Sequence, residues 1–359
     1  MLGTRFAIGI LLEEKIQTLK LVKQMMANII RTTNHPVVKH YMDIIQSACE
    51  EAGWKSPDFP KVFSMINKQD YVVTDSPLIA IQYMLKGFSK HMVWFQGISP
   101  EESYMARNSR LRYAVLSWIE KTVLKKAKVV FFVSKAMETY YEKKYGLQLS
   151  QKSCIMPCFN ETGIEQTAFS EEKYQKNTFT YVGGIQTWQC FEETARLYSE
   201  IEKRANTPVM FCVYTFQKEE ALKILQKFGV KNYTVDCVPQ AELSERIKGI
   251  KYGFIIREDC AVNNVATPTK FSNYLANGII PIYSGALKSF AEFDKEKQIG
   301  IVYNLNEPNE GIARILEHME KEISADEMRE KCEYAFATYY NSTDYSKKIA
   351  SKLKEIIKV

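Results

Sequence analysis

Histidine is scarce in this chain: 359 residues hold four, and the closest two, His35 and His40, have no second ligand pair beside them. A lone exposed or core-satisfied role suits each better than ligation. Eight cysteines in a chain of this length do not make a disulfide framework. Cys154 and Cys158 flank a proline without a second Cys or His pair, so the zinc pattern is missing and no metal is expected. Free buried thiols in a reducing cytosol are the default. Apolar length is short as well. The N-terminal run Phe6–Leu12 is broken by Glu13-Glu14, falls short of a bilayer span and lacks a small-residue cleavage site. Neither a signal peptide nor a transmembrane helix is expected, so a lipid-linked substrate would be met peripherally. No G-x-G-x-x-G opens a strand–helix unit, which argues against a dinucleotide site. Repeats and low-complexity tracts are also missing.

What is present describes a globular chain large enough for two domains, 46% hydrophobic and 25% charged. The net charge of +6 suits an anionic substrate or an anionic membrane surface. It is too small to argue for a nucleic-acid partner, and none is expected. Short apolar runs alternate with helical patterns, which predicts parallel sheets. Strands are expected at Asp70–Thr74, His91–Phe95, Val129–Val133, Phe179–Val182, Val209–Tyr214 and Tyr233–Val238. Helices are expected at about Leu78–Lys86, Met137–Tyr145 with Ser134 as its cap, Phe191–Lys203, Glu219–Phe228, Gln240–Lys248 and Thr343–Lys358. At the amino terminus the pattern gives a strand at Phe6–Ile10 and an amphipathic helix over Glu13–Arg31. Pro157–Thr178 is polar, aperiodic and reads as a linker.

The most informative stretch is Tyr252 to Ser284. Gly253–Ile256 reads as a doubly covered strand, ending at Arg257 and Glu258. Thr267-Pro268 reads as a helix start, a hydroxyl cap followed by proline at the first position. Gly278 closes that helix, and Ile279–Tyr283 is the next strand. Phe271 and Leu275 face the sheet, while Lys270, Asn273 and Asn277 share a polar face. Free amides at a helix start attract phosphate, and Arg257 with Lys270 adds two cations at the same mouth. Ligands of open α/β sheets bind beyond the strands' carboxyl ends. The alternative is an ordinary capped unit with a solvated lysine. Gly183-Gly184, directly after a strand, would let backbone amides approach a phosphate, a weak signal alone.

Arg107–Lys128 is strongly basic, with Leu111, Val115, Trp118 and Ile119 as an apolar side. Such a helix can lie in a membrane interface; a core-facing helix with a solvated outer face is the equal alternative.

The segment IREDCAVNNVATPTKFSNYLANGIIPIYS resembles the donor-site segment of GT-B glycosyltransferases of family 4, in the branch serving bacterial surface polysaccharides. Arg257, Asn263, Thr267, Pro268, Lys270, Tyr274, Leu275, Ala276 and Gly278 fit that pattern; Asn273 stands where the family usually has Glu. YVGGIQTWQ, QGISPEES and FFVSKAMETYYEKKYG also look like family segments, so the likeness runs from about Asp70 to Gly285. It implies an α/β, GT-B fold: two Rossmann-like domains with parallel sheets facing a central cleft. The division expected is 1–160 for the acceptor, 161–178 as linker, 179–340 for the nucleotide-sugar, and 341–359 crossing back to the first domain. The function implied is a hexosyltransferase-like enzyme of cell-surface polysaccharide synthesis, retaining and metal-independent, with no cofactor. Its partners would be a nucleotide-sugar donor and a saccharide or lipid-linked acceptor. Its place would be the cytoplasm, at the inner face of the cell membrane if 107–128 docks there. Arg257, Lys270 and Glu102 are the catalytic candidates. Gly183, Gly184, Asn263, Thr267, Asn273, Asp75 and Gln96 are the substrate-binding candidates. Ser134 as a plain cap and Glu102 as first-turn helix charge stay open. So do two other functions, a GT-B nucleotide-sugar epimerase and a non-catalytic scaffold partnering another transferase.

Overall fold

The structure, a computed structural model, describes residues 29–32, 36–54 and 68–357. The strand expected at Phe6–Ile10 and most of the helix expected over Glu13–Arg31 lie outside those residues. Where that helix was expected to end, Ile29–Arg31 instead forms a strand, β1, paired in parallel with Tyr71–Val73. β-branched isoleucines are stiff at χ1 and suit a ladder, and an open sheet edge is there to receive them. A helix at Pro36–Glu51, absent from the expectations, follows it.

All eleven described strands pair in parallel, in two sheets. The first runs β1, β2 (Tyr71–Thr74), β3 (His91–Phe95), β4 (Val129–Phe132) and β5 (Ser153–Ile155), in chain order. Every residue of β3 and β4 is buried, as a parallel strand covered on both faces requires. The second sheet comprises β6 (Asn177–Val182), β7 (Val209–Tyr214), β8 (Tyr233–Asp236), β9 (Tyr252–Ile255), β10 (Ile280–Ser284) and β11 (Ile301–Tyr303), in the order β11-β10-β9-β6-β7-β8. The chain builds outward from β6 to β8, then returns to the other side of β6 and builds outward again. The reversal therefore falls between β6 and β9. An aromatic ladder fills the sheet there: Phe179 lies 5.0 Å from Tyr252 and 5.5 Å from Phe254, ring to ring.

Loops at the carboxyl ends of the two sheets meet. Ser134, just past β4, caps the helix Lys135–Tyr145 through the Met137 amide, 3.0 Å away. It also donates to the Val265 carbonyl, 2.7 Å away at the end of the short helix Ala261–Val265 that follows β9. The expected linker is tied down rather than free. The Cys158 amide donates to Thr267 Oγ1 at 2.9 Å and the Asn160 amide to Ser272 Oγ at 3.0 Å. A short helix, Glu171–Gln175, forms within it. From there the buried Lys173 ammonium reaches the Asn277 carbonyl and the Tyr174 hydroxyl the Gly278 carbonyl. The last helix, Ser342–Ile357, packs on Pro36–Glu51 of the first half.

The basic stretch divides into two helices, Ser99–Arg107 and Arg110–Lys126, with Asn108 in the left-handed region between them. The second turns Leu116, Glu120, Val123 and Leu124 inward. Glu120 is buried with the Tyr141 hydroxyl at 2.8 Å and the Tyr145 hydroxyl at 3.0 Å. Desolvation raises its carboxyl from the ordinary 4.5 to about 7, against the pull of the Lys144 ammonium and the two hydroxyls. The folded protein thus holds this proton more tightly than the unfolded chain does. Its stabilising contribution is complete below pH 4.5 and is lost as pH rises through 7. Glu120→Gln should flatten the fall in unfolding free energy between about pH 5 and 7 by on the order of 2 kcal/mol. Urea titrations of both proteins across that range measure it; parallel pH profiles would show that Glu120 carries no such proton.

Candidate functional site

Arg257 follows β9 and Gly183 follows β6, so both stand at the carboxyl ends of the two strands that flank the reversal. A crevice opens at such a point, because the two neighbouring loops leave in opposite directions. The helix carrying Lys270 brings its ammonium to the same Gln189 oxygen as Arg257. It begins at Lys270, not at Thr267, and its cap position is Thr269, whose side chain makes no capping bond. The Thr267 hydroxyl is engaged elsewhere, by the Cys158 amide. A residue before proline is also biased toward extended backbone, which delays the helix. Gly278 does close it, at φ +61°, with its amide bonded to Leu275 and that of Ile279 to Tyr274. All seven helical residues are buried, the polar face included.

Two cations converge inside. Arg257 is 3% exposed and Lys270 8%. The Arg257 guanidinium donates to the Gln189 carbonyl at 2.9 Å, to the Ile256 carbonyl at 2.7 Å, and to Gln189 Oε1. Lys270 Nζ donates to that same Oε1 at 2.9 Å and lies 4.0 Å from the Tyr181 ring centre. Among the described residues neither cation has a carboxylate within ion-pair distance. A neutral amide oxygen therefore stands where an anion would be expected. Desolvation, and then the Arg257 charge, hold the Lys270 ammonium well below its ordinary value; desolvation also lowers Arg257. Gln189 was not singled out from the sequence, although YVGGIQTWQ contains it. Its signal is only an amide following a glycine turn, with nothing to mark which charges it meets.

Gly183 belongs to this arrangement. Its φ is +124°, and a Cβ there would stand 2.9 Å from Lys270 Cε, so the bare backbone leaves the lysine its path. Gly184 accepts the Tyr181 hydroxyl at 2.6 Å. Asn273, one helical turn on from Lys270, is buried with its Oδ1 unpartnered. Asn263 is buried and turns its amide to the Glu258 carbonyl and Cys260 sulfur, shaping the loop after β9. Beside Arg257, at the carboxyl ends of β9, β10 and β11, a cavity of about 740 Å³ is lined by Glu193, Glu258, Ser284, Lys288 and Asn304 among others.

Asp75, Gln96 and Glu102 lie beyond strand ends of the first sheet. Gln96 Nε2 donates to the Asp75 carbonyl at 3.1 Å, which brings together the ends of β2 and β3. Glu102 Oε1 accepts the Ile98 amide at 3.1 Å, capping the helix in whose first turn it lies, and desolvation raises its carboxyl. Thr267 and Asn263 thus serve the loop between the sheets, while Arg257, Lys270 and Gly183 share one spot. No three His, Cys, Asp or Glu side chains gather as a metal-ligand set among the described residues.

The solved structures that resemble this chain have the same two-sheet plan. Staphylococcus aureus TarM, as a point mutant with fondaparinux, α-GlcNAc-glycerol and UDP, matches with a TM-score of 0.62 at 10% identity. The match covers 83% of this chain and 57% of TarM, so the chain spans just over half of that protein. WaaG, a glycosyltransferase of lipopolysaccharide biosynthesis, matches at 0.57 and 13% identity over 92% of this chain and 99% of its own. Sucrose-phosphate synthase from Thermosynechococcus elongatus matches at 0.60 and 13% over 92% and 98%. The fold is GT-B. No family model matches the sequence, and no curated protein does. The Arg257–Lys270 spot lies at the carboxyl ends of the second sheet's strands, and Asp75 and Gln96 lie at those of the first.

Gly183→Ala should cost about 1–3 kcal/mol of stability through the positive φ, and should also displace Lys270 and weaken anion binding. Chemical denaturation and calorimetric titration with a nucleoside diphosphate measure the two effects. Unchanged affinity in a folded variant would show that Lys270 does not depend on this glycine.

Proposed function

We propose that this chain is a glycosyltransferase that moves a hexose from a nucleotide-sugar to a saccharide or lipid-linked acceptor in cell-surface polysaccharide synthesis. The observation that carries the proposal is the pair of buried cations, Arg257 and Lys270, sharing one neutral oxygen at the strand-order reversal. That site lacks an anion, and a leaving diphosphate is the anion that glycosyl transfer produces. The TarM complex, with UDP in a protein of the same fold, supports the choice of a nucleoside diphosphate. On this reading residues 179–340 hold the donor, 1–160 the acceptor, 161–178 link them, and 341–359 close the second part back onto the first.

The chemistry follows from charge. As the bond between the anomeric carbon and the phosphate oxygen breaks, its electron pair goes to the diphosphate. Arg257 and Lys270 are fixed where that charge grows, and they turn from the Gln189 oxygen to the phosphate. Fixed cations doing this work make the reaction metal-independent. The acceptor hydroxyl forms the new bond on the face the phosphate leaves, giving retention, and its proton passes to the departing phosphate oxygen. Gly183 and Gly184 give the diphosphate close backbone approach, and Asp75, Gln96 and Glu102 form the acceptor wall. Asn263 and Thr267 hold the loop between them. The orphaned Asn273 Oδ1 accepts a donor hydroxyl. An Asn offers one acceptor where a Glu offers two, so donor binding is loosened rather than lost.

Arg257→Ala and Lys270→Ala should each weaken nucleoside-diphosphate binding by about 1.5–3 kcal/mol, the worth of a charge-assisted hydrogen bond. Because burial disfavours the charged form of Lys270, a bound diphosphate should raise its proton affinity. The binding enthalpy of the native protein should then vary with the buffer's ionisation enthalpy, and Lys270→Ala should abolish the variation. Asn273→Glu should tighten one nucleoside diphosphate with turnover retained. If no nucleoside diphosphate binds the native protein or any of these variants, the transferase reading falls and the scaffold reading replaces it.

A further inference from the structure

We infer that Tyr141 and Glu120 are positioning residues for the loop Gln96–Ile98, and that the charge on Glu120 decides whether the Tyr141 hydroxyl holds that loop. The inference rests on the reading of Asp75, Gln96 and Glu102 as the acceptor wall. It adds a control seated among buried side chains of the first half. The loop follows β3 and carries the wall. Gln96 Nε2 donates to the Asp75 carbonyl, and the Ile98 amide donates to Glu102 Oε1. A Cβ on Gly97, between them, would collide with that same carboxylate oxygen, so the bare backbone lets Glu102 fold back. The Gly97 carbonyl accepts the Tyr141 hydroxyl at 3.1 Å, and the same hydroxyl lies 2.8 Å from Glu120 Oε1. A phenol has one proton to give, and here two acceptors stand in reach of it. Tyr141 is 0% exposed, and the rings of Phe95 and Phe132 pack against its own. The ring is therefore fixed and the proton alone can turn. Desolvation, and then the Glu120 charge, keep that proton on the phenol.

Glu120 decides which acceptor receives it. Its second oxygen, Oε2, accepts the Tyr145 hydroxyl at 3.0 Å and lies 3.6 Å from the Lys144 ammonium. Donors at Oε2 leave Oε1 as the place for a proton, facing Tyr141. The ionised carboxylate draws the Tyr141 proton to itself, because a charged acceptor makes the stronger bond. The protonated acid instead donates from Oε1 to the Tyr141 oxygen, and the phenol proton turns to the Gly97 carbonyl. Other charges nearby leave Glu120 free to change state. Glu101, on Ser99–Arg107, opposes its ionisation and is itself held by Lys144 at 2.7 Å and the Tyr113 hydroxyl at 2.9 Å. Tyr113 and Tyr140 also feel the Glu120 charge, and Lys121 lies 6.0 Å from the Tyr145 ring centre. Pro77–Leu85, packed on the same helix, has no charged residue. Desolvation outweighs the pull of Lys144, and the carboxyl titrates at about 7. Below that pH the loop is fastened; above it the loop is released.

The NMR shift of the Gly97 carbonyl carbon reads the bond directly. Glu102, whose carboxyl is also raised by desolvation, bonds the Ile98 amide and not this carbonyl. In the native protein the shift should titrate with a midpoint of about 7. Glu120→Gln keeps an oxygen for Tyr145 and Lys144 and turns its amide nitrogen to Tyr141, as the protonated acid does. The carbonyl should then hold its low-pH shift at every pH. Tyr141→Phe removes the donor, so the shift should stop titrating. With the native enzyme the KM for acceptor should rise about threefold to tenfold between about pH 6 and about pH 8, the fold-change of one neutral hydrogen bond. It should stay low and flat in Glu120→Gln and high and flat in Tyr141→Phe, while kcat follows one pH profile in all three proteins. A merely structural role for these residues would not move acceptor KM with pH. The proposal is overturned by a native Gly97 shift that does not titrate, or by a titration carried unchanged into Glu120→Gln. It is overturned equally by acceptor KM profiles that match in the native protein and Glu120→Gln. A protein that binds no nucleoside diphosphate yet keeps the Gly97 titration fails the transferase reading alone, which tells the two failures apart.

Discussion

Two positive charges buried side by side are costly unless something negative completes them, and the second half of this molecule is organised around such a pair. Arg257 and Lys270 both donate to one oxygen of Gln189. Each arrives on a different element: a strand end for the arginine, a short buried helix for the lysine. The aromatic ladder of the sheet, the bare backbone of Gly183 and the closure of the helix at Gly278 all serve to hold those elements. The cost of keeping the lysine enclosed shows in its depressed proton affinity. A group held in that condition gains most from an anion.

The loops that join the sheets carry the second constraint. Ser134 bonds across to Val265, and the segment after β5 is fastened to the lysine-bearing helix at Ser272 and to the residues flanking it at Thr267, Asn277 and Gly278. A rearrangement between the two sheets would have to pass through these bonds. The site is thereby tied to the first half by hydrogen bonds, since the residues that precede Lys270 are the ones that touch it.

The helix Arg110–Lys126 obeys a different logic. Its inner face is fixed by Leu116, Val123, Leu124 and the Glu120 carboxyl, which is satisfied by two tyrosine hydroxyls. That anchoring leaves the other apolar stripe outside. A helix with two apolar stripes and one buried acid must choose which stripe to bury, and a carboxyl that finds hydroxyl partners can go inward with the larger set of contacts.

Much of this was legible in the sequence. The apolar runs marked β3 and β7 to the residue, although only β3 is buried along its whole length, and glycine at 278 marked a left-handed closure. The family segments carried the α/β, two-sheet plan. Local chemistry also misled, at Thr267, whose hydroxyl suits a helix cap but meets a distant amide, and at Ile29–Arg31, where helical spacing gave way to a free sheet edge. Both outcomes depend on partners tens to more than a hundred residues away. The meeting of Arg257 and Lys270 at Gln189 is of that kind too, as is the choice of stripe on the basic helix. Periodicity reports which faces of an element are apolar and cannot say which neighbour will cover them. The sequence by itself determined the elements, their charges and their order. Only the tertiary structure decided which charges share an oxygen and which apolar face stays in solvent, because both are set by contacts between residues far apart in the chain.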